Sequence, residues 1–261
     1  MGKADKRARK RQNQQIAREE REAALKKAKR NRTAMYSGGG LALVIIVIAI
    51  ASFTSSDPKK KATTTTVAPV CPTVKKPAKT STAKTYKTAP AMTISATKKY
   101  TAVISTSCGA FTAELASKES PKGVNNFVFL AREGFYDGIK FHRAVSDFVI
   151  QGGDPTASGN GGPGYSVVTE WPKQDFKTGD LAWAKTGAEK PGTAGSQFFV
   201  TTGNPAALNG TKKGKTYDYG YFGHVTSGLD IAKKIESLAP PGEGGLPTTD
   251  VYILSIKISE Q

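Results

Sequence analysis

"FHRAVSDFVIQGGDP", Phe141 to Pro155, is the stretch on which the reading of this chain turns. It sets one guanidinium, Arg143, and one amide, Gln151, within an aromatic and aliphatic run that ends in Gly-Gly-Asp-Pro. The two-residue period of a strand puts Val149 and Gln151 on one face of "FVIQ" and Phe148 and Ile150 on the other. In "SQFFV", Ser196 to Val200, Gln197 and Phe199 share a face while Phe198 and Val200 take the opposite one. Two strands that each offer an amide beside an apolar group make a shallow site for something apolar with a peptide attached. Arg143, just upstream, adds a fixed fork of donors at the edge. The same letters also fit an arginine whose stem lies along the surface and glutamines that face solvent.

Outward from this stretch the texture is one of short alternating runs: "YTAVIST", "GAFTAEL", "GIKFHRAV", "SQFFVTT", "YGYFGHV" and "VYILSIKIS". Each is bounded by Gly, Pro, Asn or Asp, and helical spacing is clear only in "VNNFVFLAREG" and "SGLDIAKKIESL". Many short strands with two helices predict a mainly β domain over residues 97–261, an antiparallel barrel or sandwich.

The formal net charge of the 261-residue chain is +17. It is +9 over residues 1–40, +9 over residues 41–100 and −1 over residues 101–261, so the basicity lies outside the β domain. Residues 1–32 form a basic arm with too few apolar groups to bury a face, a solvated helix or a disordered segment. It lacks interleaved aromatic residues, which argues against nucleic acid as its partner and for an anionic lipid surface.

Residues 33–56 carry no charge, and "LALVIIVIAIASF", Leu41 to Phe53, is almost purely apolar. At roughly 1.5 Å per residue such a segment spans a hydrocarbon core of about 30 Å. "AIA" at 49–51 also resembles a signal-peptide cleavage site, but the long charged region before it favours an uncleaved anchor. Lys and Arg before the span predict a single-pass membrane protein with a cytoplasmic N-terminus and its bulk outside the cell membrane. Residues 57–96, rich in Thr, Lys and Pro, read as a flexible linker.

Cys71 and Cys108 are the two cysteines, too few for a disulfide scaffold and not spaced for zinc. With His142 and His224 they complete no familiar metal pattern, so neither metal nor cofactor is expected. In the predicted topology both cysteines lie on the oxidising side, where pairing would tether the linker to the domain. Two unrelated thiols are the alternative.

"FHRAVSDFVIQGGDP", "GSQFFV" (Gly195 to Val200) and "YGYFGHV" (Tyr219 to Val225), in this order, resemble the cyclophilin-type peptidyl-prolyl cis-trans isomerases. The resemblance covers roughly residues 98–258 and, with the N-terminal segments, is to a membrane-anchored bacterial, actinobacterial-like form. It implies a cyclophilin-like, eight-stranded, closed antiparallel β-barrel with two capping helices, one at each end. It implies Arg143 as the catalytic arginine, acting with Phe148 and Gln151. Val149, Gln197, Phe199 and Leu208 would surround the proline, Tyr219 would join them in binding the substrate, and Ala184 would offer backbone to the peptide.

The expected function is isomerisation of X-Pro bonds during folding of extracytoplasmic proteins. The alternative is a tethered module that binds proline-containing segments with little turnover. Two departures bear on the choice. Lys185 stands where many relatives carry Asn, followed by the longer loop "TGAEKPGTA". Ala207 and Tyr219 stand where many eukaryotic members carry a tryptophan and a histidine, which implies weak cyclosporin binding.

Three other readings are set aside. "GTKKGKT" misses the phosphate-loop pattern because Asn209 replaces the first glycine. "GNGGPGY", Gly159 to Tyr165, reads as a turn-rich loop. Asp154 and Glu170 as a glycosidase pair is disfavoured because Asp154 follows Gly-Gly and suits a turn cap.

Overall fold

The computed structural model describes residues 71–75, 77, 84–209, 217–242 and 244–261. The basic arm, the apolar span and the first part of the linker therefore lie outside the described residues, as does all of "GTKKGKT". Among the described residues no helix is long and apolar enough to cross a membrane.

The chain forms β1 (Tyr100–Thr106), β2 (Gly109–Leu115), α1 (Pro121–Arg132), β3 (Arg143–Val145), β4 (Val149–Gly152), β5 (Val167–Val168) and β6 (Asp180–Trp183). It continues through β7 (Thr193–Ala194), β8 (Phe198–Thr201), a 3-10 turn (Ala206–Leu208), β9 (Tyr221–Ser227), α2 (Leu229–Glu236) and β10 (Ile253–Glu260). Eight strands make one antiparallel sheet in the order β10-β1-β2-β9-β6-β8-β4-β3, and β5 pairs with β7 separately.

Alternation drives the long strands. Tyr100, Ala102 and Ile104 of β1 and Phe111, Ala113 and Leu115 of β2 point inward. Phe127 of α1, Phe198 of β8, Phe222 of β9 and Trp183 of β6 meet in an aromatic core, with Phe127 4.9 Å from Phe222 and Trp183 4.7 Å from Phe222, centroid to centroid. Each such buried ring stabilises the fold by roughly 1.5–3 kcal/mol. The helix α1 packs against β10 and β9, and α2 against β2, β3 and β4. Proline at the first turn of α1 suits the missing amide partner there, and Glu170 accepts hydrogen bonds from the Lys122 and Gly123 amides at 3.1 and 3.2 Å.

The expected closed barrel is corrected to a curled half-barrel. Among the described residues the edge strands β3 and β10 share no continuous ladder; the isolated bridges Lys140↔Tyr252 and Ala144↔Gly245 and a few backbone hydrogen bonds join the two edge regions. The reason is local, because β3 has three residues and the segment before it makes scattered backbone bonds, Gly138 and Phe141 donating to the Ile253 and Val251 carbonyls and the Ile139 carbonyl accepting from the Ile253 amide.

A second difference concerns the predicted linker 57–96, whose C-terminal part is docked on the domain. Asn125 of α1 accepts from the Thr93 and Ile94 amides at 2.8 and 3.3 Å and donates to the Ala91 carbonyl at 3.0 Å. Cys71 and Cys108 form a disulfide, with Cα atoms 4.8 Å apart and a sequence separation of 37.

Candidate active site

The antiparallel register places Arg143 of β3 opposite Gln151 of β4, and Gln151 opposite Phe199 of β8. This stacks three of the sequence-predicted residues across three adjacent strands. Ile150, Phe198 and Val200 enter the main core, while Val149, Phe199 and Leu208 form a second apolar cluster on the other face of the sheet. The period-two reading therefore assigns both faces correctly, except for Phe148.

Phe148 lies before β4, in a turn where Asp147 has φ 54°, and joins Val149 and Phe199 in the second cluster. The turn is held by Phe148, whose amide donates to Val145 and whose carbonyl accepts from Thr202 at 2.9 Å. Departure from strand geometry is what turns this ring to the same side as its neighbour.

One cavity of about 280 Å³ is lined by Arg143, Phe148, Val149, Gln151, Ala184, Lys185, Phe199, Leu208 and Tyr219. Apolar groups form the walls, with Tyr219 edge-on to Phe199 at 5.4 Å. Gln197 faces an adjoining, larger cavity of about 670 Å³ that shares Gln151, Ala184 and Lys185 with the first. Its walls are the Gly159–Ser166 loop and the residues around Thr186 and Glu189, with Gly195 and Ser196 beside Gln197.

A chain of hydrogen bonds runs from the arginine into this second wall. Arg143 donates to Gln151 Oε1 at 3.4 Å, and Gln151 Nε2 donates to Gln197 Oε1 at 3.1 Å. Gln197 Nε2 in turn donates to the Gly159 and Gly161 carbonyls, both at 2.9 Å. The loop carrying those carbonyls is wound around Asp154. Its carboxylate accepts from the amides of Thr156, Ser158, Gly159 and Gly161 at 2.7, 3.0, 2.6 and 3.1 Å.

Burial alone would raise the Asp154 pKa, but the bonds from Thr156, Gly161 and Gly159 together hold it below the usual carboxylate range. Burial pushes the neighbouring His142 imidazole below its ordinary value, against the pull of Asp154. Neither group faces the smaller cavity. Asp154 organises the glycine-rich loop and Glu170 caps α1, so the two carboxylates serve separate structural tasks.

Lys185 is held in the wall. Its side chain is 3% exposed, and Nζ reaches Asp218 Oδ1 at 2.9 Å and the Thr186 and Glu189 carbonyls at 3.3 Å. Nζ also stands 5.7 Å from the Tyr219 ring centroid. Three contributors escape sequence reasoning: Phe176, Tyr217 and Asn209. Phe176 packs 6.5 Å from Phe199 and 6.1 Å from Tyr217, and Asn209 accepts from the Phe176 amide at 2.6 Å. They sit in polar, aperiodic loops, where no pattern marks a buried ring. Among the described residues no three His, Cys, Asp or Glu side chains converge as metal ligands do.

Comparison with known proteins identifies the family of the domain. The family model of cyclophilin type peptidyl-prolyl cis-trans isomerase/CLD matches residues 101–258, more than half of the chain. Peptidyl-prolyl cis-trans isomerase B of Bacillus subtilis is 42% identical over 126 residues, 48% of this chain and 81% of that protein. Peptidyl-prolyl cis-trans isomerase CYP18-2 of Arabidopsis thaliana is 38% identical over 160 residues, 59% of this chain and 91% of that protein. A crystal structure of a Cryptosporidium parvum cyclophilin type peptidyl-prolyl cis-trans isomerase superposes with a TM-score of 0.54 at 32% identity, covering 62% of this chain and 99% of the other. A second crystal structure of that protein, in the presence of dipeptide ala-pro, gives 0.53 at 31% identity, again covering 62% of this chain and 99% of the other. The chain belongs to the cyclophilin-type peptidyl-prolyl cis-trans isomerase family, and its enzyme class is that of a prolyl isomerase.

Proposed function

We propose that the chain is a membrane-tethered isomerase that accelerates cis-trans exchange at X-Pro bonds of polypeptides outside the cytoplasm, with Arg143 as its electrostatic catalyst. The observation that carries the catalytic part is the placement of Arg143, hydrogen-bonded to Gln151, on the rim of the apolar cavity formed by Phe148, Val149, Phe199 and Leu208.

An X-Pro bond turns over a barrier of about 18–20 kcal/mol because twisting breaks amide resonance. No bond is made or broken, so the site needs no nucleophile and no acid or base. As the bond twists, the prolyl nitrogen becomes pyramidal and regains its lone pair. A guanidinium fixed beside that nitrogen stabilises the twisted form more than the planar one, and a dry surrounding strengthens the effect. Phe148, Phe199 and Leu208 hold the ring, Gln151 holds the carbonyl side, and the Ala184 backbone receives the peptide. The Ala-Pro dipeptide associated with the Cryptosporidium parvum relative fits the same substrate class.

The cellular part rests on different grounds. The uncharged segment 33–56 suits a membrane anchor, the arm 1–32 suits an anionic lipid surface, and the Cys71–Cys108 disulfide suits an oxidising compartment. In intact cells a membrane-impermeant amine reagent should modify lysines of residues 97–261 and spare those of residues 1–32. Labelling restricted to broken cells would overturn the topology. Catalysis is tested separately, by exchange NMR on a proline peptide with the full-length chain, and absence of acceleration by the folded protein would overturn the enzymatic reading.

A further inference from the structure

We propose that Tyr86, on the segment preceding the family domain, is a positioning residue for the larger cavity beside the proline site. The inference rests on the isomerase reading given above. The family match begins at residue 101, yet residues 84–96 lie against the domain rather than free of it.

Tyr86 inserts its ring between α1 and the glycine-rich loop. Its centroid lies 5.1 Å from Phe129, 6.4 Å from Phe135 and 6.2 Å from Tyr165. Its amide donates to the Pro163 carbonyl at 2.8 Å. The fit is close enough to exclude a side chain opposite: a Cβ on Gly164, where φ is already 91°, would come within 2.8 Å of the Tyr86 carbonyl oxygen. Pro163, Gly164 and Tyr165 all line the larger cavity.

From Tyr165 the contact passes to the opposite wall. The Tyr165 hydroxyl donates to Asn126 Oδ1 at 2.7 Å, and Asn126 Nδ2 donates to the Gly195 carbonyl at 2.7 Å. Gly195 lies two residues before Gln197, the end of the amide chain from Arg143. The neighbouring Asn125 clasps the Ala91–Ile94 part of the same segment. Adjacent residues of one helix thus hold the extension on one side and the cavity floor on the other. The ring, not the hydroxyl, does the bracing, because Tyr86 Oη is buried with no hydrogen-bond partner among the described residues.

The proline cavity shares only Gln151, Ala184 and Lys185 with the larger one, so a minimal substrate reports on the first and a longer one on both. The test compares the full-length wild type, Tyr86→Ala and Tyr86→Phe on a blocked Ala-Pro dipeptide and on peptides extended by three residues on either side. For an extended peptide, KM should rise about tenfold in Tyr86→Ala with kcat kept, the size of a lost 1.4 kcal/mol of binding. Dipeptide turnover should be unchanged in both variants, and Tyr86→Phe should match wild type throughout. Equal losses on dipeptide and extended peptides, or no loss on any, overturns the proposal. Wild-type inactivity on every peptide would instead overturn the isomerase reading on which it rests.

Discussion

Replacing Asp154 by Asn keeps the shape of the side chain and removes the charge that winds the glycine-rich loop. Oδ1 can still accept from the Thr156 amide and hydroxyl, at 2.7 and 2.8 Å in the native chain. The other position becomes an NH2 group facing the Ser158, Gly159 and Gly161 amides, three donors that the native carboxylate satisfies. Donor against donor opens the loop, and the Gly159 and Gly161 carbonyls leave Gln197 Nε2, which they hold at 2.9 Å. Two neutral hydrogen bonds at about 1 kcal/mol each give roughly 2 kcal/mol of lost positioning. That converts to about a thirtyfold fall in kcat/KM. The assay is prolyl isomerisation with the full-length variant, with near-UV circular dichroism to establish that it is folded. A folded Asp154→Asn protein within twofold of wild type would refute the argument that Gln197 is set by this loop.

Other outcomes are equally specific. Reducing or replacing the Cys71–Cys108 bond frees a loop of 37 residues, and the chain-entropy relation gives a loss of about 4 kcal/mol; urea unfolding of Cys71→Ser should show it, and an unchanged midpoint would contradict it. His142 has its folded pKa below the ordinary 6.5, so the unfolded chain takes up the proton first. Its stabilising contribution is therefore full above pH 6.5 and is lost as pH falls through the lower folded value. Asp154 acts with the same sign in a window below 3.8. The melting temperature should drop on acidification below pH 6.5, and His142→Leu should flatten that part of the profile; an identical slope in the variant would be the contrary result. Phe198→Ala, in the aromatic core, should destabilise by about 3–5 kcal/mol in the same unfolding experiment.

The lines of the site that depend on strand period were legible in the letters. Val149, Gln151 and Phe199 follow from alternation, and alternation also sends Ile150, Phe198 and Val200 inward. Phe148 breaks the rule because it belongs to a turn, and only the family resemblance puts it in the pocket. Strand β6, "DLAW", is buried at all four residues and offers no alternation to detect. Phe176 and Tyr217 are single rings in polar loops, buried by tertiary packing alone. The docked end of the linker is hidden for a related reason: Thr, Lys and Ala around Tyr86 look like solvated chain, while the apolar surface that receives it belongs to α1. Closure of the barrel depends on an edge pairing between distant segments, which no local pattern encodes.

The most direct test of the account is kcat and KM of the full-length protein with Arg143 intact, Arg143→Lys and Arg143→Ala, measured on one proline peptide. Removing a preorganised donor aimed at developing charge typically costs about 10²–10³ in kcat. The account predicts a loss of that size in Arg143→Ala with KM little changed. It predicts partial recovery in Arg143→Lys, whose ammonium supplies charge but no planar fork. A folded Arg143→Ala protein that keeps its kcat, or that loses only affinity, would contradict it.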